Sequence, residues 1–110
     1  MVDSPTLRWF GIRAIYHFGK KKDGTNIFEE RVVSILANTP EEALTKAEHE
    51  ADEYAASVKI ERYPWLEAYE QDGDPLIDGY EVWSELYESS EDLCSFVESR
   101  YRKYEYHPDP

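Results

Sequence analysis

Leu7-Arg8-Trp9-Phe10-Gly11-Ile12-Arg13-Ala14-Ile15-Tyr16-His17-Phe18 alternates with a period of two. Phe10, Ile12, Ala14, Tyr16 and Phe18 fall on one side, and Trp9, Gly11, Arg13, Ile15 and His17 on the other. That is the spacing of a pleated strand, whose successive side chains point to opposite faces. The polar run over residues 19–26 follows, and its Asp23-Gly24 pair suits the positive φ of a tight turn. Residues 27–37 are rich in β-branched side chains and read as the returning strand. Together they predict an antiparallel hairpin.

Asn38-Thr39-Pro40-Glu41-Glu42 then starts a helix: Thr39 can cap, Pro40 suits the first helical position, and Glu42 completes a Thr-x-x-Glu capping box. Leu44, Ala47, Ala51, Tyr54 and Val58 recur at spacings of three and four as an apolar stripe. The small alanines 43, 47, 51 and 55 allow close approach to a sheet. Past the break at Pro64, residues 65–69 read as a short strand, 71–75 as a turn, and 80–87 as a fourth strand. Ser89 and Ser90 are caps for a last helix with a stripe of Leu93, Phe96, Val97, Tyr101 and Tyr104. The order ββαββα predicts an α+β domain of two layers, with helices on one face of an antiparallel sheet. A single domain over 1–110 is expected, its ordered core spanning about 7–104 between short flexible termini.

Composition fits one core: 110 residues, 41% hydrophobic and 15% aromatic. No run approaches the ~18 residues of a membrane-spanning helix, and residues 1–7 lack the basic and apolar regions of a secretory signal. Cys94 is the only cysteine and has no internal disulfide partner. A cytoplasmic location is expected. The formal net charge is −12, which opposes binding to nucleic acid or to an anionic membrane. Residues 61–92 hold most of it, with eleven acids and one base, whereas residues 1–37 carry six bases and four acids.

Arg8-Trp9-Phe10-Gly11, Glu29-Glu30-Arg31-Val32-Val33, the helix from Thr39 to Tyr54 and Asp78-Gly79-Tyr80-Glu81-Val82-Trp83-Ser84-Glu85-Leu86 form a pattern over about residues 8–101. It resembles a family of small bacterial proteins known only as a domain of unknown function. The resemblance implies a compact bacterial cytoplasmic domain and supplies no catalytic residue.

Candidate chemistry is sparse. The glycines at 11, 19, 24, 73 and 79 form no phosphate-binding pattern. Cys94 beside the last apolar stripe reads as a buried, inert thiol. His49 and Glu53, with Asp52 adjacent, have a spacing that can hold a divalent cation, but no HExxH pattern or cysteine pair completes it. Asp72-Gly73-Asp74 opens like a calcium loop and is broken by Pro75. No cofactor and no metal are expected. Carboxylate pairs such as Glu81 with Glu85 or Glu29 with Glu30 arise easily among 24 acids. Arg13 and Arg31, on the hairpin strands, are expected to pair with carboxylates such as Glu81 or Glu85 across the sheet.

Three Trp, nine Tyr and four Phe exceed what one small core must bury, and several Tyr lie among acids. The leading expectation is a non-enzymatic module docking a basic protein through Glu67, Tyr69, Glu70, Asp72, Asp74, Tyr80, Glu81 and Glu85, with Tyr for rigid area and carboxylates for steering. An immunity protein, an antitoxin or an inhibitor that mimics nucleic-acid charge has this character. The alternative is a ligand-binding domain or enzyme with a pocket between sheet and helix lined by Arg13, Arg31 and Trp83. A third reading is a homodimer or larger homo-oligomer joined at an exposed strand edge.

Overall fold

The structure is a computed structural model that describes residues 7–71, 78–79 and 81–108. Strand β1 (Arg8–Lys20) pairs antiparallel with β2 (Asn26–Ala37), in register from Arg8 opposite Ala37 to Lys20 opposite Asn26. At the turn the Lys21 N–H donates to the Thr25 carbonyl at 2.9 Å, and Gly24 supplies a φ of 91°. A bulge between His17 and Gly19 ends the regular alternation. It leaves Phe18 exposed, whereas Phe10, Ile12, Ala14 and Tyr16 are buried as the pattern requires.

Helix α1 (Pro40–Val58) closes that face. Thr39 Oγ1 accepts the Glu42 N–H at 3.1 Å, and Glu42 returns the favour one residue early, taking the Asn38 N–H rather than that of Thr39. The buried row is Ala43, Ala47, Ala51 and Ala55. Leu44 and Tyr54 pack against its flanks and Val58 is exposed, so the apolar stripe is turned from the expected one. The physical reason is size: four small side chains in line bring the helix backbone close to the sheet, and bulkier ones are pushed to the sides.

The chain returns as β3 (Glu61–Arg62) and β4 (Glu67–Glu70), both antiparallel to β1. β3 pairs with Tyr16 and His17, and β4 with residues 10–13, so the two short strands share the edge of β1 that β2 leaves open. Among the described residues β2 has no partner on its outer side.

The class is α+β with an antiparallel four-stranded sheet. The ββαββα order is as expected, but different residues fill it. Glu61–Arg62 is a strand the sequence reading did not foresee, and residues 81–89 form no strand. Both edges of β1 are already taken, and those residues cross the sheet face rather than pairing with the outer edge of β2, which stays open among the described residues. Their course is fixed at Gly11, where an added Cβ would meet Trp83 Cε3 at 3.1 Å and the Val82 carbonyl at 3.2 Å.

Asp92, rather than Ser89 or Ser90, caps the last helix, accepting the Ser95 N–H at 2.8 Å. This helix, α2 (Leu93–Val97), is short and runs into a π-helical turn over Glu98–Arg102. Among the described elements it packs against that turn, and Phe96 adds a ring contact with Tyr87 at 5.7 Å, while Leu93, Tyr101 and Tyr104 of the expected stripe are exposed. Cys94 is exposed as well, which corrects the buried thiol expected there. α1 alone covers the core face; residues 100–107 lie toward the opposite face, where Arg100 and Tyr104 share a cavity with Ile15 and Phe28.

Candidate functional site

The second face of β1 presents Arg13 where the core face presents Ile12 and Ala14. In β4 the residue opposite Arg13 is Glu67, so the sheet register itself delivers a carboxylate. Arg13 Nη2 donates to Glu67 at 2.7 Å and to Glu85 at 2.8 Å, and Nη1 donates to the other Glu85 oxygen at 3.0 Å. Glu30 of β2 stands 3.7 Å away. The guanidinium lies 5.3 Å from the Trp83 ring centre, and Trp83 packs at 5.6 Å against Tyr69, the residue opposite Gly11. Glycine at 11 thus makes room for the indole that roofs Arg13.

Further bonds extend this cluster, although Arg100 Nε at its margin is buried without a partner. Tyr69 donates its hydroxyl to Glu81, and Tyr87 donates to Glu85. Arg100 donates to the Tyr87 oxygen at 2.7 Å and stacks at 4.7 Å over its ring. Burial works against the Arg13 charge, but bonds to Glu85 and Tyr87 and the field of Glu67 outweigh it, so the guanidinium holds its proton more firmly than usual. The Tyr87 hydroxyl and then Arg13 hold the Glu85 carboxyl below its ordinary range, and the same contact with Glu85 raises the Tyr87 phenol.

The expected docking residues are only partly brought together. Glu67, Tyr69, Glu81 and Glu85 assemble around Arg13 and Trp83. Glu70 is opposite Phe10, on the core face of the sheet, where it pairs with Arg8. Asp72, Asp74 and Tyr80 lie outside the described residues.

The pocket imagined from Arg13, Arg31 and Trp83 is not assembled, because strand parity separates its two arginines. Arg31 is opposite Ala14, not Arg13, and therefore faces α1. There it makes a two-pronged pair with Glu50 at 2.8 and 2.7 Å and stacks 3.8 Å from the Tyr54 ring. Hydrogen bonding to Glu50 raises the Arg31 guanidinium as well. Of the ion pairs expected across the sheet, Arg13 meets Glu85 as anticipated, while Arg31 is served by the helix. A cavity of about 780 Å³ does open on the second face, but Ile15, Phe28, Arg100 and Tyr104 are among the residues lining it.

The link between β3 and β4 adds an exposed aromatic, Trp65, that the sequence did not single out. Trp65 is 70% and Tyr63 58% exposed, on the link between β3 and β4. Leu66, buried in the core, anchors that link, and Pro64 keeps it out of the ladder. Glu61 is opposite His17 and Glu67 is opposite Arg13, which puts both on the second face. Tyr63 is one of the acid-flanked tyrosines visible in the sequence, whereas Trp65, expected inside a strand over 65–69, lies before β4 on the link. On α1, Asp52 is taken by Arg62 at 3.0 and 2.8 Å, away from His49 and Glu53. Among the described residues no group of three His, Cys, Asp or Glu is placed to hold a metal ion, and no helix is long and apolar enough to cross a membrane.

No protein-family model, curated protein or solved structure matches this chain. The functional reading therefore stands on the geometry.

Proposed function

We propose that this chain is a non-enzymatic protein-interaction module that docks a basic protein on the second face of its sheet. The observation that carries the reading is Trp65, 70% exposed on the link that joins the strand of Glu61 to that of Glu67, two residues whose carboxylates belong to this face. A large ring held out in water by a buried neighbour offers rigid contact area with little entropy left to lose, the character of an interface anchor. The carboxylates give the approach its sign. Arg13 is one cation against Glu30, Glu67 and Glu85, so the cluster stays negative after its internal pairs are made. Such pairing fixes the acids in place, which lowers the ordering cost when a lysine- or arginine-rich surface arrives. Compared with the surface read from sequence, the docking centre moves toward Trp65, and Glu70 drops out of it. A neutraliser of a cationic toxin or a mimic of nucleic-acid charge is the form this module takes.

Capture from bacterial extract at low and high salt tests it. The wild-type chain is expected to retain a stoichiometric basic protein that leaves as salt rises. Trp65→Ala is expected to weaken the complex by about thirtyfold, the effect of losing a central aromatic anchor. Glu61→Gln with Glu67→Gln should flatten the salt dependence. A partner held equally by all three proteins would overturn the proposal.

A further inference from the structure

We propose that the outer edge of β2 pairs with the β2 of a second copy, antiparallel about a two-fold axis passing at Val32. The inference starts from backbone direction. Tyr63 N–H donates to the Ile15 carbonyl at 2.8 Å, and Gln71 N–H donates to the Trp9 carbonyl at 3.0 Å. Ile15 and Trp9 therefore bond away from β2, and in an antiparallel ladder their opposite numbers, Glu30 and Leu36, bond away from β1. By alternation the N–H and C=O groups of Phe28, Glu30, Val32, Ser34 and Leu36 all point outward from the sheet edge. No other strand among the described residues meets them, although the Leu36 carbonyl at the end of the row accepts from Lys46 Nζ at 2.7 Å, a side-chain contact that a second strand would displace.

The same five side chains share the second face of the sheet, with Phe28 66% and Val32 48% exposed. A long edge with apolar side chains and backbone groups that no strand has taken is a template for another strand. A second copy fits it because the sequence is complementary to itself about Val32. In that register Val32 meets Val32, Phe28 meets Leu36 twice, and Glu30 meets Ser34 twice. Every outward backbone group is then bonded, every apolar side chain of the row faces another, and no charge faces its like. On the core face Glu29 meets Ile35 and Arg31 meets Val33, and both charged groups already have partners, in Tyr54 and Glu50.

Neighbouring registers are worse on their charges or their pairing. An axis at Glu30 sets Glu30 against itself, and an axis at Arg31 sets Arg31 against itself. An axis at Val33 sets Glu30 against Leu36 and Phe28 against Asn38. Tyr106 lies beside Phe18 and Phe28 at the far end of the edge, but among the described residues the tail forms no backbone bond to β2, so it flanks the edge without filling it.

Sedimentation equilibrium of the full chain tests the pairing. Two chains of net charge −12 repel, so the dimer should tighten as salt rises, opposite to the salt response of a complex with a basic protein. The expected limiting mass is twice the 12.9 kDa of the chain. Val32 lies on the axis, so Val32→Lys and Val32→Glu each place a like charge against itself and should weaken the dimer by at least about tenfold. An equimolar mixture of the two variants should restore it, because Lys then faces Glu across the axis. A wild-type chain that stays at 12.9 kDa at every salt concentration overturns the proposal. So does a Val32→Lys protein that dimerises normally, or a mixture that stays monomeric. None of these outcomes touches the docking reading, whose Trp65 lies on the far side of β1 from this edge.

Discussion

The two faces of β1 are built on different physics. On one, Phe10, Ile12, Ala14 and Tyr16 meet the alanine row of α1 in a buried apolar layer, with the Arg31–Glu50 pair at its margin. On the other, Arg13 is pinned by carboxylates under an indole, and the chain beyond it leaves Leu86 96% exposed. Stability belongs to the first face, and the second is a surface held in shape by polar bonds. Phe10→Ala should therefore cost about 3–5 kcal/mol in chemical denaturation, the loss of a ring that is 1% exposed together with the cavity left behind. Leu86→Ala should change stability by no more than about 0.5 kcal/mol. Comparable losses for the two would mean that residues 81–89 cover a core of their own, and the contrast would fail.

The same contrast explains what could be read in advance. The hairpin and α1 were legible because burial on one side imposes a period, two in the strands and 3.6 in the helix, that survives in the order of residues. The bulge after His17 escaped notice, as polar and apolar side chains continue to alternate through it. Residues 81–89 misled for a subtler reason. Val82, Ser84 and Leu86 alternate with charged and aromatic neighbours, but alternation does not say whether a segment pairs at an edge or crosses a face, and here Trp83 packs over Gly11 on the face. Parity alone separated Arg13 from Arg31: they lie on paired strands, but only the register, Ala14 opposite Arg31, says that they face opposite ways. Glu50 was missed as the partner of Arg31 because no local spacing joins a strand to a helix nineteen residues on. The core-face part of the plan was thus local, while the polar cluster depended on register.

Helix caps sharpen the comparison at a smaller scale. Thr39 and Asp92 make the same bond, a side-chain oxygen accepting a backbone N–H three residues on, at 3.1 and 2.8 Å. Thr39 starts a helix that closes the core, so Thr39→Ala should lower global stability by about 1 kcal/mol. Asp92 starts a helix packed on the turn that follows it and on Tyr87, with no contact among the described residues to the strands or to α1. Asp92→Ala should leave the denaturation midpoint unmoved and speed amide exchange only within residues 93–102, as expected of a locally opening unit. Equal midpoint shifts would show that the two regions unfold together.

The smallest effect concerns the polar cluster and is best seen against pH. Glu85 is held ionised by the Tyr87 hydroxyl and by Arg13, so its folded carboxyl titrates below the range it has in the unfolded chain. The sign follows: its contribution is complete above the ordinary carboxylate range, near pH 5 and upward, and is lost as pH falls through the lower folded value, because the unfolded chain takes up the proton first. Glu85→Gln removes that linkage while keeping the shape of the group and its ability to accept a bond from Arg13. The stability gap between wild type and this variant should be widest at neutral pH and should close progressively below about pH 4. A gap that stays constant down to acid pH would mean that the Glu85 charge is not what Arg13 and Tyr87 stabilise. The second face would then be held by the packing of Trp83 over Gly11, and the contrast between an apolar core face and a charge-pinned one would reduce to two kinds of packing.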